Sequence, residues 1–178
     1  ILINDVDEIP NLENFKYRNK VTVFKQKMIY YKFNLMQPNF TWYGSKICKK
    51  KHLESPQWLR NIKSKKYPFW RLDVLFSKKK YSNLSYIKNG GWHFTCIRTP
   101  EDLEKKLLNF AHHYEFEQSG LKIGDIKKLI DEKRVMYDHD IDQKGYKWSG
   151  KSILKKINLD LLPKYIGENT QKFEKWLD

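Results

Sequence analysis

Alanine occurs once in these 178 residues, at Ala111, and arginine is scarce, with five Arg among 35 basic residues and Lys supplying the rest. The guanidinium fork suits phosphates and guanine edges, so a chain with so few arginines is poorly equipped to read nucleic acid. Two cysteines, Cys48 and Cys96, are too few for a disulfide framework and lack zinc-ligand spacing. No apolar run approaches the roughly 18 residues a membrane-spanning helix needs, and no signal-peptide pattern opens the chain. The composition is that of a soluble globular domain with no membrane span, and a cytoplasmic location is the expectation.

What is present is bulk and charge. Hydrophobic residues make up 40% and aromatics 15%, enough to build a core without staples. The formal net charge of +14 points on its own to a polyanionic partner. Lys, Ile, Asn, Tyr and Phe are abundant together, however, as AT-rich codon usage produces, so the excess lysine is a weak functional signal. Nucleic acid is not the expected partner.

Ile1-Leu2-Ile3 has the pattern of a strand already under way, and the sequence is expected to lack an N-terminal portion. It runs into Asp5-Val6-Asp7-Glu8-Ile9-Pro10, where Pro10 sets the carboxylates at or just past a strand end. In open α/β sheets that edge binds ligands. Strands are predicted over 21–24, 28–33, 41–43, 46–48 and 92–97, with extended structure at 69–76. Ser55-Pro56 and Thr99-Pro100-Glu101-Asp102 are helix starts with cap, proline and first-turn acids. The second places Leu103, Leu107, Phe110, Ala111 and Tyr114 on one helical face. A further helix is predicted over about 124–133, a polar surface loop over 138–150, and a last helix carrying Phe173, Trp176 and Leu177. Strands come first and helices later, which predicts one α/β or α+β unit.

The sharpest constellation is Asp5-x-Asp7. Two carboxylates one residue apart at a strand end can share a divalent cation that bridges phosphate oxygens; a solvated acidic turn is the plain alternative. Gly90-Gly91-Trp92-His93-Phe94 combines backbone that can approach a ligand, a flat indole face and an imidazole, or else forms a tight turn with a packed aromatic and a hydrogen-bonded histidine. Glu101 and Asp102 could accept a proton from a hydroxyl nucleophile, although Thr99-x-x-Asp102 has the spacing of a capping box. His112 and Glu115, at i and i+3, are read as structural.

Three pieces in order carry a resemblance: Asp5-Val6-Asp7-Glu8-Ile9-Pro10; Gly91-Trp92-His93-Phe94 followed by Pro100-Glu101 and a helix ending in Ala111-His112; and Leu162-Pro163-Lys164-Tyr165-Ile166 with Asn169 and Phe173. Together they resemble the family 17 glycosyltransferases, the β-1,4-mannosyl-glycoprotein β-1,4-N-acetylglucosaminyltransferases. Thr95 stands where that family often has Ser. The resemblance implies a GT-A-like, Rossmann-like α/β fold incomplete at its N-terminus, with residues 1–178 forming one partial domain from the D-x-D motif onward. It implies inverting transfer of N-acetylglucosamine from a UDP-sugar to a glycan acceptor, with Mn²⁺ or Mg²⁺ as cofactor. Asp5 and Asp7 would hold the metal and the donor diphosphate, with His93 a further metal contact. Trp92 and His93 would lie beside donor or acceptor, and Glu101, then Asp102, would be the catalytic base.

Two other classes compete with this reading. One is a basic nucleic-acid-binding module or metal nuclease using Asp5, Asp7 and Glu8. The other is a non-catalytic glycan-binding remnant working through Trp42, Trp70 or Trp92.

Overall fold

β-Branched and aromatic residues fill six of the ten positions in the strand Val21–Tyr30, where Lys25 and Lys27 stand half-buried on either side of the buried Gln26. The computed structural model describes residues 1–13, 15–109, 113–139, 141, 146–148 and 150–178. Among the described residues seven strands form one mixed sheet: β1 (Leu2–Ile3), β2 (Glu8–Pro10), β3 (Val21–Tyr30), β4 (Leu35–Cys48), β5 (Leu84–Ile87), β6 (Gly91–Thr95) and β7 (Lys155–Lys156). Their order is β1-β4-β3-β6-β2, with β5 added on β3 and β7 on β4. β5 runs parallel to β3, whereas β1 and β7 are antiparallel to β4 and β2 is antiparallel to β6. The helices are α1 (Pro56–Asn61), α2 (Leu72–Leu75), α3 (Pro100–Leu108), α4 (His113–Ser119), α5 (Ile123–Asp131) and α6 (Lys164–Glu168), with short 3₁₀ turns between and after them. The chain is therefore mixed α/β. No helix among the described residues is long and apolar enough to cross a membrane.

The chain forms two compact units, Ile1–Lys27 with Thr41–His93, and Met28–Phe40 with Phe94–Asp178. In the first, Val21, Cys48, Trp58, Leu59, Ile62 and Leu84 make the core, with Ile3 and Leu53 packed against it. Ser55 caps α1 as its sequence predicts, its hydroxyl accepting the Trp58 amide at 3.0 Å. Gly91 has φ of +120°, and a side chain there would run into the Ile9 carbonyl and the Asn11 amide. The paired glycines thus let β6 and its turn pack tightly against neighbouring backbone, so the tight-turn reading describes them.

Two expectations change. The predicted strands 21–24 and 28–33 are joined as the single strand β3, which ends at Tyr30; Tyr31 takes φ of 59° and turns the chain. Residues 69–76 are not extended: α2 forms over Leu72–Leu75, and Arg71 at its N-cap bonds Asp73 in the first turn at 2.8 and 2.9 Å.

In the second unit Thr99 caps α3, accepting the Asp102 amide at 3.2 Å. The helix stops at Leu108 rather than running to Tyr114. Asn109 turns its side-chain amide back onto the Lys105 carbonyl at 2.7 Å and leaves helical geometry. Leu103 is buried, Tyr114 is exposed, and Phe116 supplies the inward residue of α4. Phe110, Ala111 and His112 lie outside the described residues. The helix predicted near 124–133 is α5, with Ile126 fully buried. The polar stretch from 138 onward is not simply surface: Asp138 is 1% exposed and accepts bonds from Gln37 Nε2 at 3.1 Å and from the Ser152 hydroxyl. Asp140 and residues 142–145 and 149 lie outside the described residues. The predicted last helix is a 3₁₀ helix, Thr170–Trp176, with Phe173 set edge-on to Phe33 at 5.4 Å.

Candidate active site

The Asp5-Val6-Asp7-Glu8 segment is a β-turn closed by Glu8 N donating to Asp5 O at 3.1 Å. It joins β1, whose Ile3 lies opposite Lys46 of β4, to β2, whose Glu8 lies opposite His93 of β6. The turn is therefore pinned by two strands that each have a fixed register. Asn4 adds to this, its side-chain amide reaching the carbonyls of Asp5 at 2.9 Å and Glu8 at 3.2 Å.

Glu8 points inward, 5% exposed. Its Oε1 accepts the Trp42 indole N–H at 2.7 Å, and its Oε2 accepts the Ser45 hydroxyl at 3.1 Å and the Asp5 amide at 3.3 Å. A buried carboxylate is tolerated when its lone pairs are met by donors in this way. Glu8 serves the fold of the turn, which takes it away from the ligand set that the nuclease reading requires. Gly44 is part of the same packing, since a side chain there would overlap Glu8 and Gln26.

Asp5 and Asp7 flank Val6, which is fully exposed at the tip. Asp5 pairs with Arg60 of α1, whose Nη2 lies 2.9 Å from Oδ1. Asp7 faces His93, with Nε2 to Oδ2 at 3.3 Å, and the imidazole is 9% exposed in its side chain. The His93 ring lies against the Trp42 indole, centroids 4.4 Å apart. Trp42 in turn donates to Glu8, so each acidic residue of the motif is tied to a scaffold side chain. His93 Nδ1 is buried and has no hydrogen-bond partner among the described residues. Trp92, opposite Ile9, lies under Lys27 Nζ at 5.8 Å, and burial lowers the pKa of that lysine.

Among the described residues no three His, Cys, Asp or Glu side chains converge as a metal-binding group. A hard cation that is held by one or two carboxylates and completes its shell with phosphate oxygens and water does not require three. Asp5 and Asp7, with side chains 46% and 35% exposed, fit that mode. His93 is turned onto the Asp7 carboxylate, an arrangement that orients Asp7. A cleft of about 150 Å³ opens beside the turn, lined by Asp5, Glu8, Trp42, Gly44, Lys46 and Arg60. Small-molecule sites enclose roughly 300–1,000 Å³, so this cleft is smaller than a whole nucleotide-sugar requires.

Lys46 at the back of the cleft is 8% exposed, its ammonium donating to the carbonyls of Arg60 at 2.7 Å and Ile62 at 2.6 Å. Burial pushes it down to about 8, against the opposing pull of the Glu8 carboxylate. The unfolded chain holds that proton up to about 10.5, so between those values unfolding takes up a proton and stability rises with pH. Below 8 both states hold the proton and the full cost of the buried ammonium is felt. Wild-type protein is therefore expected to gain stability relative to Lys46→Met across that window, read by urea titrations on either side of it. A difference that stays constant through the window would contradict the buried ammonium.

Glu101 and Asp102 belong to the second unit. Glu101 is exposed and pairs with Lys127 of α5 at 2.9 Å, which lowers its pKa and makes it a weaker proton acceptor. Asp102 Oδ2 accepts the Thr99 hydroxyl at 3.1 Å within the cap. Of the tryptophans considered for glycan binding, Trp42 is committed to Glu8 and His93, whereas Trp70 stands 71% exposed.

The sequence marked the acids and His93 but not Ser45 or Arg60, which bond to the turn from positions distant in the chain, nor Lys46 beside them in the cleft. Set against protein-family models, curated proteins and solved structures, the chain finds no match in any of the three comparisons.

Proposed function

We propose that this chain acts as a metal-dependent glycosyltransferase of GT-A type, moving a sugar from a UDP-sugar, N-acetylglucosamine first among them, to a saccharide hydroxyl with inversion. The observation that carries the reading is the Asp5–Asp7 turn, which presents two accessible carboxylates on a backbone held from behind by the buried Glu8. A divalent cation bound there would supply positive charge to offset the diphosphate leaving group.

The side chains divide the remaining work. His93, itself packed on Trp42, holds Asp7 Oδ2 from the buried side and so orients the carboxylate. Arg60 holds Asp5 and places a second positive charge at the cleft mouth, where phosphate oxygens would meet it. Glu101 is the base candidate for the acceptor hydroxyl, with Asp102 second. Release of Glu101 from Lys127 would raise its basicity toward the ordinary carboxylate value.

The test is UDP-N-acetylglucosamine turnover by the protein with Mn²⁺, with Mg²⁺ and after chelation. Turnover is expected to require the metal and to return when it is added back. Turnover indifferent to chelation would refute the reading. Glycan binding without metal or nucleotide would instead favour a lectin-like role.

A further inference from the structure

Residues 63–80 contain six lysines, one arginine and a single acid, Asp73. They fold as a loop closed at its base. Lys63 N donates to Lys79 O at 2.8 Å, Tyr67 N to Tyr81 O at 3.3 Å, and the Trp58 indole N–H holds the Lys78 carbonyl at 2.9 Å. Inside the loop Asp73 is neutralised by Arg71 and Lys80, which hold its carboxyl down at about 2. Val74 turns inward as an anchor, 7% exposed.

This tied base leaves five large apolar side chains in water. Phe69, Trp70 and Leu72 are each 71% exposed, Leu75 is 66% exposed and Phe76 is 88% exposed. Scattered exposed apolar residues need no explanation, but five on one ordered tip form a patch of the kind that marks an interaction surface. Around the tip, Lys63, Lys65, Lys66, Lys78 and Lys79 have no ion-pair partner among the described residues. An apolar tip with an indole, flanked by exposed ammonium groups, matches the layering of a membrane interface, acyl boundary first and anionic headgroups next. A second copy of this chain is disfavoured as occupant, because +14 would meet +14.

We propose that the 63–80 loop docks on an anionic lipid surface, inserting Phe69, Trp70, Leu72, Leu75 and Phe76 at headgroup depth while its lysines contact the lipid phosphates and carboxylates. This surface contact is independent of the transferase reading, since it involves neither donor nor metal.

Flotation with phosphatidylcholine vesicles, with and without phosphatidylserine, tests it. The full chain is expected to bind the serine-containing vesicles at least about tenfold better than the neutral ones and to be partly released by salt. Trp70→Ser with Phe76→Ser should lower that binding by about tenfold or more, with an unchanged thermal melt because neither side chain is in the core. Lys78→Glu with Lys79→Glu should weaken it by a similar factor through charge alone. Failure of the wild type to float with anionic vesicles, or equal flotation of both double variants, overturns the proposal. So does self-association by light scattering that the Trp70/Phe76 variant abolishes in a chain that does not float.

Discussion

Replacing Glu8 by alanine is expected to destabilise the protein by about 3 kcal/mol, because it removes the acceptor for two buried side-chain donors and for the amide that closes the D-x-D turn. The Trp42 indole N–H makes the shortest of the three bonds to Glu8, at 2.7 Å, so much of the cost falls there. Ser45 keeps the bond it accepts from Gln26 Nε2 at 3.0 Å, but its hydroxyl proton loses its acceptor. Glu8→Gln keeps the volume and one carbonyl acceptor and should lose about half as much. Urea melts of the three proteins measure this. A Glu8→Ala protein within about 0.5 kcal/mol of wild type would mean that the turn is held by its strands alone. Metal-dependent turnover should fall in both variants even at temperatures where they remain folded, since Asp5 and Asp7 lose their fixed separation.

Asp7→Ala separates chemistry from folding. Its carboxylate is part-exposed and its pairing with His93 contributes at most about 1 kcal/mol, so stability should barely move. Donor turnover should drop at least about a hundredfold, the scale at which loss of one charge-stabilising group at a reacting centre is felt. Asp7→Asn sharpens the result. It retains an oxygen to accept from His93 Nε2 but lacks the negative charge, so its turnover should resemble Asp7→Ala if charge is what matters. Undiminished turnover in Asp7→Ala would sink the assignment of this turn. Recovery in Asp7→Asn alone would reduce Asp7 to a hydrogen-bonding role.

Features governed by neighbours in sequence were the legible ones. Ser55-Pro56 and Thr99-Pro100 cap their helices as read, because a cap needs only a side-chain oxygen and an amide three residues on. The Asp5–Asp7 motif was visible for the same reason. The lysines at 25 and 27 disguised the continuity of β3, yet they are half-exposed positions on either side of the buried Gln26, an ordinary alternation. Aromatic density at 69–76 suggested a strand, whereas Leu72–Leu75 is a helical turn with its apolar side chains outside and Arg71 bonded to Asp73 in its first turn. Asp138 looked like a loop acid because its partner Gln37 lies 101 residues earlier. Glu8 was read as a ligand candidate, and its structural duty depends on Trp42 and Ser45, which no local pattern connects to it.

Val6 stands between the two carboxylates with its side chain wholly in solvent, while every tie that shapes the turn belongs to its neighbours. The middle position of the motif is thus a natural place for an optical reporter. A cysteine there could carry a dye a few ångströms from both acids; Cys48, sealed in the core with its thiol pKa raised by burial, would not compete for the label, and the half-buried Cys96 would first be replaced by serine. Arrival of a charged ligand at the turn would then be visible directly, before any bond is broken.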